Sequence, residues 1–124
     1  MTAAVVASLC CGCGSGGGKA FLDQKKEIGP RLEWSREITS KSGGTIRFRV
    51  TSQGPFGVTV VTDKGYKAIQ GDRKSLSKED VLLTTDSKAS TYEGNVALPP
   101  GSSWFIIENQ TDGNAELRLQ CFAP

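Results

Sequence analysis

From position 31 onward apolar and polar side chains alternate with a period of two. Ile46, Phe48 and Val50 point one way, and Arg47, Arg49 and Thr51 the other, the signature of a strand with one buried face. Over 31–38, Leu32, Trp34 and Ile38 share a face with Arg36, while Glu33, Ser35 and Glu37 share the opposite one. Arg36 on the apolar face needs solvent or a partner. Segments 56–62 (Val58, Val60, Val61) and 103–109 (Trp104 and Ile106 against Phe105 and Ile107) are apolar on both faces, which predicts central strands. Segments 81–85, 90–98 and 115–122 complete the set, the last with Leu117, Leu119 and Cys121 inward. Turn clusters such as Ser42-Gly43-Gly44, Gln53-Gly54-Pro55, Pro99-Pro100-Gly101 and Thr111-Asp112-Gly113-Asn114 separate them. About seven short strands at this spacing predict an all-β fold, an antiparallel β-sandwich over 31–124. Residues 64–80 are the least regular stretch, with one short helix expected after Ser75.

The amino-terminal stretch has a different character. Residues 1–9 are apolar and uncharged, Cys10, Cys11 and Cys13 follow, and then comes Gly14-Ser15-Gly16-Gly17-Gly18. Nine apolar residues are too few to cross a bilayer, which takes about 20, but they suit the apolar region of a secretory signal. Gly12-Cys13 and the Gly/Ser run behind it resemble the end of a bacterial lipoprotein signal. That resemblance implies a signal peptide over 1–12, removed on processing, and acylation of Cys13 as the mature N-terminus. It also implies a disordered, lipidated flexible tether over 13–30. The expected location is the bacterial cell envelope, lipid-anchored. In an organism with an outer membrane, the same resemblance favours that membrane, facing the periplasm, because Gly14 rather than Asp follows the cysteine. Gly12-x-Gly14-x-x-Gly17 matches a dinucleotide fingerprint only formally, because no βαβ unit surrounds it. The three cysteines lack the second ligand pair of a zinc site. No cofactor is expected.

Composition narrows the chemistry. Fifteen Lys/Arg against 13 Asp/Glu give +2, with the signs interspersed, so no nucleic-acid partner is expected. With no histidine at all, imidazole acid/base catalysis is excluded. Carboxylate pairs, Asp63 with Asp86 or Glu108 with Asp112, are the remaining route to a small hydrolase. Cys121 has no base to activate it and reads as a core thiol. If strands 31–38 and 45–52 pair, Arg31, Arg36, Arg47 and Arg49 form a stripe neutralised by Glu33 and Glu37. Tyr66, Trp104 and Tyr92 are candidates for an aromatic carbohydrate platform or for core packing. Asn109-Gln110-Thr111 is a glycosylation sequon.

The strand Gly44-Thr45-Ile46-Arg47-Phe48-Arg49-Val50, the turn Leu98-Pro99-Pro100-Gly101 and the run Trp104-Phe105-Ile106-Ile107-Glu108-Asn109 resemble two groups of β-sandwiches. These are GOLD domains and the domains found at the C-termini of secreted bacterial peptidases. The resemblance implies binding or assembly rather than catalysis. The sequence thus predicts a membrane-tethered extracytoplasmic binding or protein-interaction module with a protein or glycan ligand. A carboxylate-dependent hydrolase and a purely structural envelope spacer are the alternatives. Function on a rigid sandwich sits on its connections. The candidate binding segments are therefore 65–78, with Tyr66, Arg73 and Lys74, and the turn 53–56 with Phe56. The competing reading makes Tyr66 and Ile69 a cap over one end of the sandwich.

Overall fold

The computed structural model describes residues 20–71 and 76–122. The chain forms β1 (Ala20–Ile28), β2 (Glu33–Ser40), β3 (Gly44–Ser52) and β4 (Phe56–Thr62), then a helix α1 (Asp63–Gly71). A 3-10 turn (Lys78–Asp80) leads into β5 (Val81–Ser87), β6 (Thr91–Leu98), β7 (Gly101–Asn109) and β8 (Ala115–Phe122). These build two antiparallel four-stranded sheets, ordered β1-β8-β3-β6 (sheet I) and β2-β7-β4-β5 (sheet II). Successive strands change sheets except at β4 and β5, the arrangement of a jelly roll built from two Greek keys. The all-β sandwich expected from the alternation is the fold observed, with eight strands rather than seven.

The eighth strand is the first. Residues 19–30 read as tether, yet Ala20–Ile28 is a strand along β8, Ala20 opposite Phe122 and Ile28 opposite Ala115. The expected tether over 13–30 is therefore corrected from Ala20 onward, and the remainder of it, with Cys13, lies outside the described residues. β1 hides its nature because it is an edge strand. Its positions facing the same way as Leu117 and Leu119 are Lys26 and Gln24, both exposed, so no apolar alternation is written into it. What holds it is the backbone ladder, buried Ile28, and a two-pronged ion pair on the outer face. There Arg118 Nε and Nη2 donate to Asp23 Oδ1 and Oδ2 at 2.8 and 2.7 Å.

The core lies between the sheets. Phe48, Val50, Phe56, Val58, Val60, Phe105, Ile107, Leu117, Leu119 and Cys121 have no exposed surface. Phe48 of sheet I meets Phe105 of sheet II edge-on at 5.2 Å between ring centroids, the geometry aromatic quadrupoles favour. β4 and β7 are both central, as their two apolar faces predicted. Leu32 does not join the strand face with Trp34 and Ile38. It sits in the turn before β2 and is 60% exposed. That turn, closed by Leu32 N–H donating to Gly29 O at 3.2 Å, carries Pro30 and then Arg31 at φ 61°, a type II pattern that ordinarily wants glycine at its third position. At the opposite end Gly43 adopts φ 74°, and a Cβ on it would fall 2.7 Å from Leu98 O. The β2–β3 connection therefore packs directly on backbone and admits only glycine.

Asn109 closes the end that bears the β1–β2 turn. Fully buried, it donates through Nδ2 to Ile28 O, Gly29 O and Gly113 O at 2.9, 3.0 and 2.8 Å. Its Oδ1 accepts from Thr111 N–H and Oγ1 at 2.9 and 2.7 Å. One side chain thus ties the β1–β2 turn to the β7–β8 turn. The sequon residue is a buried clamp and offers no surface amide for glycosylation.

Candidate binding face

Strand alternation sorts sheet II into an inner face and an outer one. Register across β2, β7, β4 and β5 sets the outward side chains in rows. Glu33, Glu108, Gly57 and Asp86 form one row, Ser35, Ile106, Thr59 and Thr84 the next, and Glu37, Trp104, Val61 and Val81 a third. Helix α1 lies over the third row.

The helix is seated by local chemistry. Thr62 Oγ1 accepts from Gly65 N–H at 3.1 Å, a helix N-cap, and donates to Asp80 Oδ1 at 2.9 Å. Gly65 is buried, and a Cβ there would lie 2.9 Å from Asp80 Cβ and 3.2 Å from Val61 Cβ, so only glycine lets the first turn come this close to the sheet. Asp63 Oδ1 accepts from Trp104 Nε1 at 3.0 Å, and Lys67 Nζ stands 3.1 Å from Asp63 Oδ2. The indole N–H first and Lys67 second hold the Asp63 carboxyl below its ordinary value, so it is a fixed anion at neutral pH. One turn on, the Tyr66 ring lies flat on Trp104, 3.8 Å between centroids and 5° from parallel. Tyr66 Oη accepts from Gln70 Nε2 at 2.9 Å.

At the other end of the face Gly57 is buried beneath the side chains of Asp86 and Gln110, which a Cβ there would meet at 2.9 Å. Around it Gln110 Nε2 donates to Asp86 Oδ1 at 2.8 Å and to Glu108 Oε1 at 3.2 Å. Between the two ends run Ser35, Ile106 and the hydroxyls of Thr59 and Thr84, 3.3 Å apart. Trp104 and Glu108 are four residues apart on β7, roughly 13 Å at strand spacing. The face therefore presents an aromatic step, a strip of small hydroxyls and a carboxylate–amide cluster in line.

The residues anticipated from sequence are distributed unevenly. Tyr66 is on this face, half-buried, and carried by a helix rather than an irregular loop. Trp104 joins it, but Tyr92 belongs to sheet I and packs on Phe48 at 5.8 Å. Phe56 is corrected outright. Its side chain is wholly inside the core, because the strand starts at this residue with its first side chain inward, and it can touch no partner. Arg73 and Lys74 lie outside the described residues.

Neither anticipated acid pair converges. Asp63 is bound to Trp104 while Asp86 sits at the Gly57 row, and Asp112 meets Arg31 at 3.0 Å on another turn. The acids that do approach each other, Glu108 and Asp86, come from strands on either side of β4 and share an amide. Only the strand order could reveal them. Arg47 and Arg49 are not neutralised by Glu33 and Glu37, since β2 and β3 lie in opposite sheets. Arg49 Nε pairs with Glu93 at 3.0 Å, and Arg47 lies over the Phe122 ring at 4.4 Å. Among the described residues no group of three Cys, Asp or Glu side chains is placed to hold a metal ion.

No family model matches the chain, and no curated protein matches its sequence. Solved structures do share its fold. The pre-peptidase C-terminal domain of a collagenase from Bacillus anthracis superposes with a TM-score of 0.61 at 12% identity, over 84% of this chain and 90% of that one. The Yersinia pseudotuberculosis-derived mitogen gives 0.55 at 11%, over 83% and 85%. PliG from Aeromonas hydrophila, a periplasmic inhibitor of g-type lysozyme, gives 0.50 at 13%, over 90% and 92%. The peptidase-associated fold anticipated from the strand and turn motifs is thus among the chain's structural neighbours.

Proposed function

We propose that the chain is a non-catalytic binding module, held at the bacterial envelope through Cys13, whose outer face of sheet II takes a glycan. The observation that carries this is the Tyr66–Trp104 stack on an otherwise hydroxyl-bearing strand face. A sugar ring has an apolar C–H face that packs on an aromatic plane. Its equatorial hydroxyls need donors and acceptors of fixed geometry, here Thr59, Thr84, Glu108, Asp86 and Gln110. The aromatic step is rigid before any ligand arrives, because Asp63 and the Thr62 cap fix it, and such preorganisation lowers the cost of binding. PliG, of similar fold, is an inhibitor of g-type lysozyme, and a binding task for this chain is in keeping with that.

Titration calorimetry of the full chain against chito-oligosaccharides, cello-oligosaccharides and peptidoglycan fragments tests the reading. One class should bind with micromolar to millimolar affinity, and Tyr66→Ala should weaken it about tenfold or more, with the unfolding temperature lowered by only a few degrees. Absence of binding across the panel, or an unaffected Tyr66→Ala variant, overturns it. The anchor is tested separately, by mass spectrometry of membrane-extracted protein. A diacylglyceryl group on Cys13 is expected, and an unmodified Cys13 in a soluble fraction refutes it. Ala20 follows Cys13 by seven positions, a reach of at most about 25 Å, so an anchored module works close to its membrane.

A further inference from the structure

Phe21 breaks the alternation of β1. Ala20 stands opposite Phe122 and Leu22 opposite Cys121. Two steps along β1 therefore match one along β8, and Phe21 is the extra residue of a β-bulge. A bulge at a sheet edge re-aims a side chain. Leu22 keeps its place against the core, and Asp23 keeps its place on the outer face with Arg118. Phe21 is left 51% exposed.

The phenyl ring does not stand alone. With Ile38, Ile46 and Leu98 it lines an open hollow of about 200 Å³ at the end of the sandwich by the β2–β3 turn. A cavity of about 150 Å³ with apolar walls takes up benzene, so this one has room for the end of an acyl chain. Residues 20–22, 39–45 and 98–102 meet around it, Gly44 pairing with Leu98 and Ser40 with Gly101. The charged side chain of these three segments is Lys41, exposed at the turn, and they hold no Asp or Glu. An apolar hollow with a cationic rim is complementary to a bilayer that presents anionic headgroups over hydrocarbon.

The chain also enters the sandwich here. Residues 1–19 precede Ala20, and none of the first 22 residues is acidic. An anchor at Cys13 lies within about 25 Å of Ala20. From there β1 carries the chain roughly 27 Å away, to the end closed by Asn109. The tether therefore holds the hollow, and not the Asn109 end, next to the membrane.

We propose that this end of the sandwich is its membrane-contacting surface. Phe21 enters the acyl region of the bilayer, the hollow takes up the end of a phospholipid acyl chain, and Lys41 meets the headgroups. The orientation rests on the anchor at Cys13, and the surface adds a contact with lipid made by the folded domain itself.

The test uses the full chain, extracted from membranes and reconstituted into vesicles of phosphatidylglycerol and phosphatidylethanolamine with bromine on their acyl chains. In Phe21→Trp the introduced indole should be quenched, with its emission shifted to shorter wavelength, beyond the baseline that Trp34 and Trp104 set in the native chain. Leu32→Trp, at an equally exposed position of the Asn109 end, should stay at that baseline. Unchanged urea midpoints show that both variants keep the fold. Lys41→Glu added to Phe21→Trp should lower the quenching in these vesicles and leave it unchanged in vesicles of phosphatidylcholine. Equal quenching of the two indoles overturns the proposal. So does quenching of neither, as when the acyl group of Cys13 itself fills the hollow. A dimer in lipid-free solution that Phe21→Glu converts to monomer also overturns it, assigning the hollow to a second copy. Mass spectrometry of the same sample reads Cys13 separately. An acylated chain with both indoles at baseline refutes this surface and leaves the anchor standing. An unmodified Cys13 refutes the anchor, and protein added to the vesicles from solution then decides by the same quenching whether Phe21 touches lipid unaided.

Discussion

Asn109 uses both its amide hydrogens and its oxygen inside the protein, so its replacement is severe in a way its small volume does not suggest. Asn109→Asp keeps the shape but removes the donors to Ile28, Gly29 and Gly113 and buries a charge. A loss of about 3 kcal/mol or more is expected in urea unfolding. Thr111→Val removes only the hydroxyl that accompanies it and should cost about 1 kcal/mol. Cys121 gives a second prediction. Burial pushes its thiol from 9.0 up to about 12, so Cys121 in the native protein should resist thiol reagents at pH 8 and react only as fast as the chain unfolds, read at that residue by peptide mass mapping. The folded state holds this proton more tightly than the unfolded one. The resulting stability is fully present below pH 9 and is lost on going to pH 12, by up to about 1.4 kcal/mol per unit. Cys121→Val should flatten that alkaline decline, read as the change in urea midpoint between pH 9 and 11. On the acid side Asp23, lowered chiefly by the Arg118 hydrogen bonds, acts oppositely: its contribution is present above the ordinary aspartate range and fades as pH falls through the lowered value.

Helix α1 depends on one missing methyl group. Gly65→Val would drive branched carbons into Asp80 and Val61 and should cost about 1–3 kcal/mol. The more telling result is local. In a Trp34→Phe background Trp104 fluorescence should change, because the Tyr66 ring and the Asp63 acceptor leave the indole together, and glycan affinity should fall with it. The Tyr66–Trp104 contact also shows how far sequence reaches. β3, β4 and β7 were legible because alternation, or apolarity on both faces, is a direct record of burial. β1 was not, because its middle inward positions, Gln24 and Lys26, are polar and exposed, which leaves Leu22 and Ile28 too far apart to read as an alternation. α1 was missed because it is short, holds two glycines (Gly65, Gly71) and derives its stability from the sheet beneath. Tyr66 could be named from its type and its irregular surroundings. That its partner would be Trp104, 38 positions later, needed the strand order. Phe56 was misjudged because a turn residue in sequence became the first inward side chain of a strand.

At the scale of the whole molecule, the two faces of sheet II differ: the outer one is aromatic and hydroxyl-bearing, and on the inner one Arg36 Nε and Ser103 Oγ have no hydrogen-bond partner among the described residues. Sheet I is neutralised across its outer face by Asp23 with Arg118 and Arg49 with Glu93. Only β4 and β5 pair within one sheet as chain neighbours. The other ladders join distant segments, so a single slow folding phase, milliseconds to seconds or longer, is expected in stopped-flow refolding. The pairing of the first strand with the last reaches further still. β8 is the hydrogen-bonded neighbour of both β1 and β3, and it is the last of the eight strands in chain order. Until its residues have cleared the exit tunnel, sheet I is two unjoined pieces, β1 alone and β3 with β6. Nascent chains arrested before residue 115 should therefore be digested completely by protease, and resistance should appear in one step once residue 122 is free. The sandwich thus stays open until β8 has emerged.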